Sequence, residues 1–262
     1  MVIRIEIIER YAGNRPKEGY FMQGYFDIHS HILPGVDDGA MDMEETRRML
    51  FLAQQEGIRI IVATPHYTAG RSKYSAEHFR AVYEEVSRLI EEAAGGLQVI
   101  LGSELFYNME MLEDLKKGLA LTIDNTRYIL VEFHPSDSFH HIRVGLYQCI
   151  FGGYIPILAH AERYQCLVKN PHLIYELIKL GVYIQLNLTS ITGTILDPKV
   201  RYCHHLLKNG WVHFLGTDAH GAFERVPCIG EAVHIIQKRY GEKMVRTLLW
   251  DNPMTMLEDR HI

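Results

Sequence analysis

The sequence predicts an α/β fold made of repeated βα units around a parallel sheet. Three observations point to it. Seven short, β-rich apolar segments recur at intervals of roughly thirty residues, the length of one βα unit. Each is followed by a polar turn and a stretch of helical periodicity. No Pro/Ser-rich linker or shift of composition divides the 262 residues. An unbroken rhythm of this kind fits a single barrel or a doubly wound sheet. Seven units favour a barrel slightly short of the eight-stranded form.

The strands are expected at Phe26–His29, Ile58–Ala63, Val99–Gly102, Tyr128–Glu132, Ile155–Ala159, Val182–Leu186 and Val212–Leu215. The helices are expected at Met43–Gly57, Ser75–Ala94, Met109–Gly118, His141–Gly152, His172–Gly181, Lys199–Gly210 and Ile229–Tyr240. In the first, Met49, Leu50 and Ala53 share one face. The second opens on Ser75 followed by Glu77, close to an N-cap arrangement. Five of the seven close on glycine, as helices ending in a left-handed cap do. Residues 1–24, with Gly13, Pro16 and Gly19, precede the βα rhythm. They are expected to form an N-terminal arm without chemistry, leaving 25–262 as one domain.

Composition removes several classes of function. With 47% hydrophobic and 23% charged residues the chain can bury a core, which excludes a disordered protein. Four cysteines are too few for a disulfide scaffold. No apolar run is long enough to span a membrane. Arg4, Glu6, Glu9 and Arg10 interrupt any signal-peptide core, so a cytoplasmic location with reduced thiols is expected. A net charge of −5 and the lack of a basic run disfavour a nucleic-acid groove.

The positions of the titratable residues carry the functional reading. His29 and His31 follow the first strand, His66 the second, and Glu104 the third. Glu132 ends the fourth, His160 follows the fifth, and Asp218 and His220 follow the seventh. Active sites of βα barrels lie at the carboxyl ends of the strands, so these residues are expected to converge on one rim. Of the pair Asp37 and Asp38, one is expected to be a simple turn residue. So many carboxylates and imidazoles cannot be buried together unless metal ions offset them. Imidazole and carboxylate without thiolate suit Mn, Fe, Zn or Mg rather than a structural cysteine–zinc site. Three divalent ions and a bridging hydroxide against Asp38, Glu104, Glu132 and Asp218 leave a site still positive enough for a phosphate ester.

The cysteines offer no rival chemistry. A thiolate phosphatase needs an arginine at the sixth position after its cysteine. Cys149, Cys166, Cys203 and Cys228 have Ile155, His172, Asn209 and His234 there. Two arginines are better placed. Arg163 stands three residues after His160 and Arg225 five after His220, and a guanidinium fork clamps phosphate oxygens. The remaining histidines fall on helices, loops or a strand start and are expected to be ordinary packing or surface residues.

Taken in order, DIHSHILPGVDDGA, ATPH, GSELFY, LVEF, AHAERY and GTDAH resemble the PHP (polymerase and histidinol phosphatase) superfamily. More narrowly they resemble its capsule-operon branch, the bacterial manganese-dependent protein-tyrosine phosphatases of the CpsB/CapC type. The resemblance runs from about Phe26 to Arg225 and the trailing helices. It implies a distorted seven-stranded, TIM-like (β/α) barrel with three divalent metal ions, manganese foremost. His29, His31, Glu104 and Asp218 would hold the first ion. Glu104, Glu132 and His160 would hold the second. Asp38, His66 and His220 would hold the third. Arg163 and Arg225 match phosphate-contacting arginines, and Asp218 or His220 could assist protonation. The implied reaction is one-step hydrolysis of phosphotyrosine by a metal-activated hydroxide. The implied partner is a tyrosine-phosphorylated protein, a bacterial tyrosine autokinase of capsule or exopolysaccharide export. The alternative is a small-molecule phosphatase of the histidinol-phosphate type.

Overall fold

The computed structural model of the chain describes residues 24–92 and 96–262. The expected N-terminal arm therefore lies, apart from Gly24, outside the described residues. The strands are β1 (Tyr25–Ser30), β2 (Ile58–Ala63), β3 (His66–Thr68), β4 (Gln98–Leu101), β5 (Glu104–Phe106), β6 (Tyr128–Glu132), β7 (Ile155–Leu158), β8 (Tyr183–Asn187) and β9 (Phe214–Gly216). The helices are α1 (Met43–Gln55), α2 (Ala76–Glu92), α3 (Met111–Lys117), α4 (Phe139–Phe151), α5 (Gln165–Lys169), α6 (His172–Leu180), α7 (Pro198–Lys208), α8 (Gly230–Tyr240), α9 (Glu242–Arg246) and α10 (Asn252–Leu257). A π-helical turn, Thr247–Asp251, joins the last two.

All strand pairs are parallel, as the crossover helices require. One sheet has the order β1–β2–β4 and the other β3–β5–β6–β7–β8–β9. Two short strands, β3 and β5, follow β2 and β4 in addition to the seven expected. The chain breaks its ladder at Thr64–Pro65, between β2 and β3, and at Gly102–Ser103, between β4 and β5. Pro65 has no N–H to give a ladder. The gap is bridged by Gly102 N–H to Ala63 O at 2.8 Å and Glu104 N–H to Pro65 O at 3.1 Å. At the far side the chain after β9 returns to β1. Asp218 N–H donates to His29 O and His31 N–H to Ala219 O, both at 2.8 Å.

Local chemistry explains the helix ends. Asp42 caps α1, accepting from Glu45 N–H at 2.9 Å, and Ser138 caps α4 through His141 N–H at 3.2 Å. Asp197 caps α7 with Pro198 as its first residue, where a missing N–H costs nothing. Gly118 and Gly181 end α3 and α6 in the left-handed conformation expected of them.

The strands divide along their length. In their amino halves, Phe26, Ile60, Tyr128, Ile155, Tyr183 and Phe214 belong to one buried cluster, closed by Met254, Met256 and Leu257 of α10. The larger cluster lies between the strands and the helices. Along β6 the inner face runs Tyr128, Leu130, then Glu132; along β8 it runs Tyr183, then Gln185 and Asn187. The same face thus turns from apolar to polar towards the carboxyl ends, which is where the candidate site lies.

Candidate metal centre

The nine residues expected at the rim converge around Glu104. Its carboxylate is fully buried. Oε2 lies 3.1 Å from His29 Nε2, 3.2 Å from His31 Nε2 and 3.1 Å from His66 Nδ1. Oε1 lies 2.7 Å from His160 Nε2. Asp218 Oδ1 is 3.5 Å from both His29 Nε2 and His31 Nε2. On the outer side, Asp38 Oδ1 is 3.3 Å from His66 Nε2 and 3.5 Å from His220 Nε2. Glu132 meets His66 Nδ1 at 3.4 Å and His160 Nε2 at 3.5 Å.

Three groups of atoms are close enough to share an ion: His29, His31, Glu104 and Asp218; His31, Asp38, His66 and His220; and His66, Glu104 and Glu132. The first is the set expected from sequence. The second adds His31 to the expected three. In the third His66 stands where His160 was expected, while His160 remains in contact with both carboxylates. His66 therefore serves two groups, one with each ring nitrogen.

The oxygens behind two of the rings favour a proton on Nδ1, and with it a donor set that fits a cation. His31 Nδ1 meets Asp37 Oδ2 at 2.8 Å, and His29 Nδ1 faces Gln185 Oε1 at 3.4 Å. With their protons on Nδ1, both rings turn the lone pair of Nε2 inward. Those two nitrogens stand 3.2 Å apart, and Glu104 Oε2 between them is a buried atom with no hydrogen bond. Lone pairs pointed at lone pairs in a dry interior repel one another unless a positive ion lies among them.

Protonation is the other way to supply that charge, and the titration behaviour shows the demand. Burial alone would push His66 and His160 down. The carboxylates of Asp38 and Glu132 override it at His66, lifting it to about 10. Glu104 and Glu132 lift His160 to about 9. Burial likewise works against ionised Glu104, yet His29, His160 and His31 hold it well below the usual carboxylate range. His220 falls to about 4, through burial and the neighbouring His31.

Several residues that support the site were not recognised in the sequence. Asp37, not a simple turn residue, takes up His31 Nδ1, the His66 N–H at 3.0 Å and the Gly39 N–H at 2.9 Å. Gly39 is obligatory there, since a Cβ would stand 2.2 Å from His31 O. Gln185 Oε1 also accepts from His160 N–H at 2.6 Å, and its amide donates to Asn187 Oδ1 at 2.9 Å. Asn187 in turn donates to Asp218 Oδ2 at 2.7 Å. Buried Asp27 accepts from Thr217 N–H at 2.9 Å and holds the β9 exit against β1. A glutamine inside the apolar run VYIQLN was the one available signal.

Both arginines reach the rim. Arg163 and Arg225 pair with the same atom, Asp218 Oδ2, the latter at 2.8 Å. Their side chains are 34% and 45% exposed, which leaves N–H groups of each guanidinium open to an incoming anion. His160, Asp218 and Arg225 adopt left-handed backbone, with φ of 32°, 52° and 48°. Such conformations cost free energy in non-glycine residues and gather where function demands them. The cysteines stand apart: all four are free, and burial pushes the Cys149 thiol up to about 12.

Residues 25–258 match the family model described as capsular polysaccharide synthesis, CpsB/CapC. The chain belongs to the CpsB/CapC family. It is 33% identical over 241 residues to the tyrosine-protein phosphatase CpsB of Streptococcus pneumoniae, covering 90% of this chain and 99% of that one. A solved structure reported for YwqE of Bacillus subtilis and CpsB of Streptococcus pneumoniae, described as unique metal-dependent tyrosine phosphatases, superposes with a TM-score of 0.83. It is 31% identical and covers 90% of this chain and 96% of that one. The histidinol phosphate phosphatase of Lactococcus lactis shares the fold at a TM-score of 0.57 and 16% identity, over 82% of this chain and 93% of that one. The chain thus has a parallel α/β fold, shared with that phosphatase.

Proposed function

We propose that this CpsB/CapC chain is a metal-dependent protein-tyrosine phosphatase, a phosphoric monoester hydrolase whose domain spans 25–262. The observation that carries the proposal is the convergence of His29 Nε2, His31 Nε2 and His66 Nδ1 on the buried Glu104 Oε2, at 3.1, 3.2 and 3.1 Å. Three divalent ions, manganese foremost, are read as held by His29, His31, Asp38, His66, Glu104, Glu132, His160, Asp218 and His220. Ions bound there would supply a water acidic enough to act as hydroxide at neutral pH.

The chain's own residues do the rest. Arg163 and Arg225 receive the phosphate, their forks matching its oxygens and neutralising charge that grows in the transition state. Asp218 holds both guanidiniums at the rim before substrate arrives. Asp37 and Gln185 keep His31 and His29 in the tautomer that leaves Nε2 free. The phenolate of tyrosine leaves readily, so little proton donation is needed: His220, pushed down to about 4, is neutral at physiological pH, and Asp218 is held ionised beside the two arginines. The substrate is read as a tyrosine autokinase of capsule or exopolysaccharide export, and the place of action as the cytoplasm.

The test is phosphate release from a tyrosine-phosphorylated peptide with added manganese and then with chelator. Release that the chelator abolishes is expected. No release with metal demonstrably bound would overturn the reading and direct attention to small phosphorylated metabolites, histidinol phosphate first.

A further inference from the structure

Two of the loops that carry the site's charges also carry exposed apolar side chains. Met41 and Phe223 are each 77% exposed. Met41 ends the loop from β1 that holds Asp37 and Asp38. Phe223 stands on the loop after β9, between His220 and Arg225. A single carboxylate ties these loops together. Glu45 of α1 accepts from Met41 N–H at 2.9 Å through Oε2 and from Ala222 N–H at 3.2 Å through Oε1. The Arg48 guanidinium, nearly one turn further along α1, lies 5.7 Å from the centre of the Phe223 ring. The base of the Phe223 loop is closed by His220 N–H donating to Arg225 O at 2.9 Å.

These loops are fixed by Glu45, Arg48 and backbone bonds. Burial of Met41 or Phe223 contributes little to holding them. An aromatic ring held out on a pinned loop beside an anion-binding arginine offers a contact surface for an anion borne on an apolar ring. Phe223 is two residues from Arg225, whose guanidinium lies at Asp218. An anion-binding guanidinium and an exposed aromatic are thereby carried two residues apart on one short loop.

We propose that Phe223, flanked by Met41, is the platform on which the aromatic ring of a phosphotyrosine rests while Arg225 receives its phosphate. This rests on the reading of the site given above. A phosphotyrosine is a dianion carried on an apolar ring, and it matches a guanidinium beside an exposed aromatic. A phosphoserine or another aliphatic phosphate would meet Arg225 equally and leave Phe223 bare. The loop would then select for the ring, and the metal centre and arginines for the ester.

The test uses the metal-loaded protein, a phosphotyrosyl peptide, its phosphoserine counterpart, and a non-hydrolysable phosphonate analogue of the former. Phe223→Ala is expected to raise KM for the phosphotyrosyl peptide, and Kd for the phosphonate, by about three- to tenfold, the worth of an aromatic pair. Its kcat at saturation and its metal content should change less than either. Phe223→Trp should keep wild-type binding. The phosphoserine peptide should not register the alanine change. Unaltered Kd in Phe223→Ala, or equal weakening for both peptides, would overturn the platform while leaving the phosphatase reading intact. A wild-type protein that neither binds the phosphonate nor hydrolyses the phosphotyrosyl peptide would overturn both.

Discussion

Glu104 is the residue through which the site is organised, because both its oxygens meet imidazole nitrogens from three different segments of the chain, β1, β3 and the loop after β7. Whether those nitrogens present lone pairs or protons is decided one shell further out. Asp37 makes that decision for His31 at 2.8 Å. Asp37→Asn should lower metal affinity about 10- to 100-fold, as loss of an orienting partner of a ligating histidine does. Metal content after dialysis checks this; full retention would remove Asp37 from the account. Arg163 acts on the opposite side, towards the substrate. Arg163→Ala should cut kcat/KM by about a hundredfold, the scale of one lost transition-state donor. Its metal content should be unchanged, and loss of metal instead would make the arginine a structural partner of Asp218.

Among the elements, β6 shows how one strand serves both stability and chemistry. Leu130 is fully buried in the inner apolar cluster, and Glu132, two residues on, reaches the centre. Leu130→Ala should cost about 2–5 kcal/mol of folding stability through lost burial and the cavity left behind. Chemical denaturation of the metal-free protein measures it; a change below about 1 kcal/mol would mean the strand repacks freely. The strands and the helices around them were legible because their apolar periodicity is local. The short strands β3 and β5 were not read, because ATPH and LGSE look like strand ends rather than pauses between two segments. The short helices α5, α9 and α10 were also missed. Their stability comes from packing against the rest of the molecule, as Met256 and Leu257 do under the strands.

At the scale of the whole molecule, part of the pH response of the fold comes from a group remote from the metal centre. His213, at the amino end of β9, is lowered to about 4 by burial. It accepts from Ile184 N–H at 3.1 Å through Nδ1, a bond available only to the neutral ring. Between the ordinary histidine value of 6.5 and about 4 the unfolded chain takes up a proton that the folded chain refuses. Stability from His213 is therefore complete above that window and falls as pH drops through it, by up to a few kcal/mol. Comparing wild type with His213→Gln in metal-free form isolates this contribution. Parallel stability curves from pH 7 to 4.5 would show that the ring is not kept neutral.

The sequence by itself determined the order of the seven main strands and of the longer helices between them, and the donor chemistry of the site. It did so because apolar periodicity is local, and because imidazoles and carboxylates fell where strands end. It could not assign Asp37 its part, since a carboxylate in PGVDDG reads equally well as a turn. It could not foresee that His66 would face two groups, or that His160, Asp218 and Arg225 would take left-handed backbone. Those outcomes depend on contacts between residues far apart in the chain. His29 meets Gln185 across 156 positions, and only the folded sheet brings them together. Sequence supplies the donors; the tertiary structure decides which atom of each donor points inward, because that choice belongs to the partner on its other side.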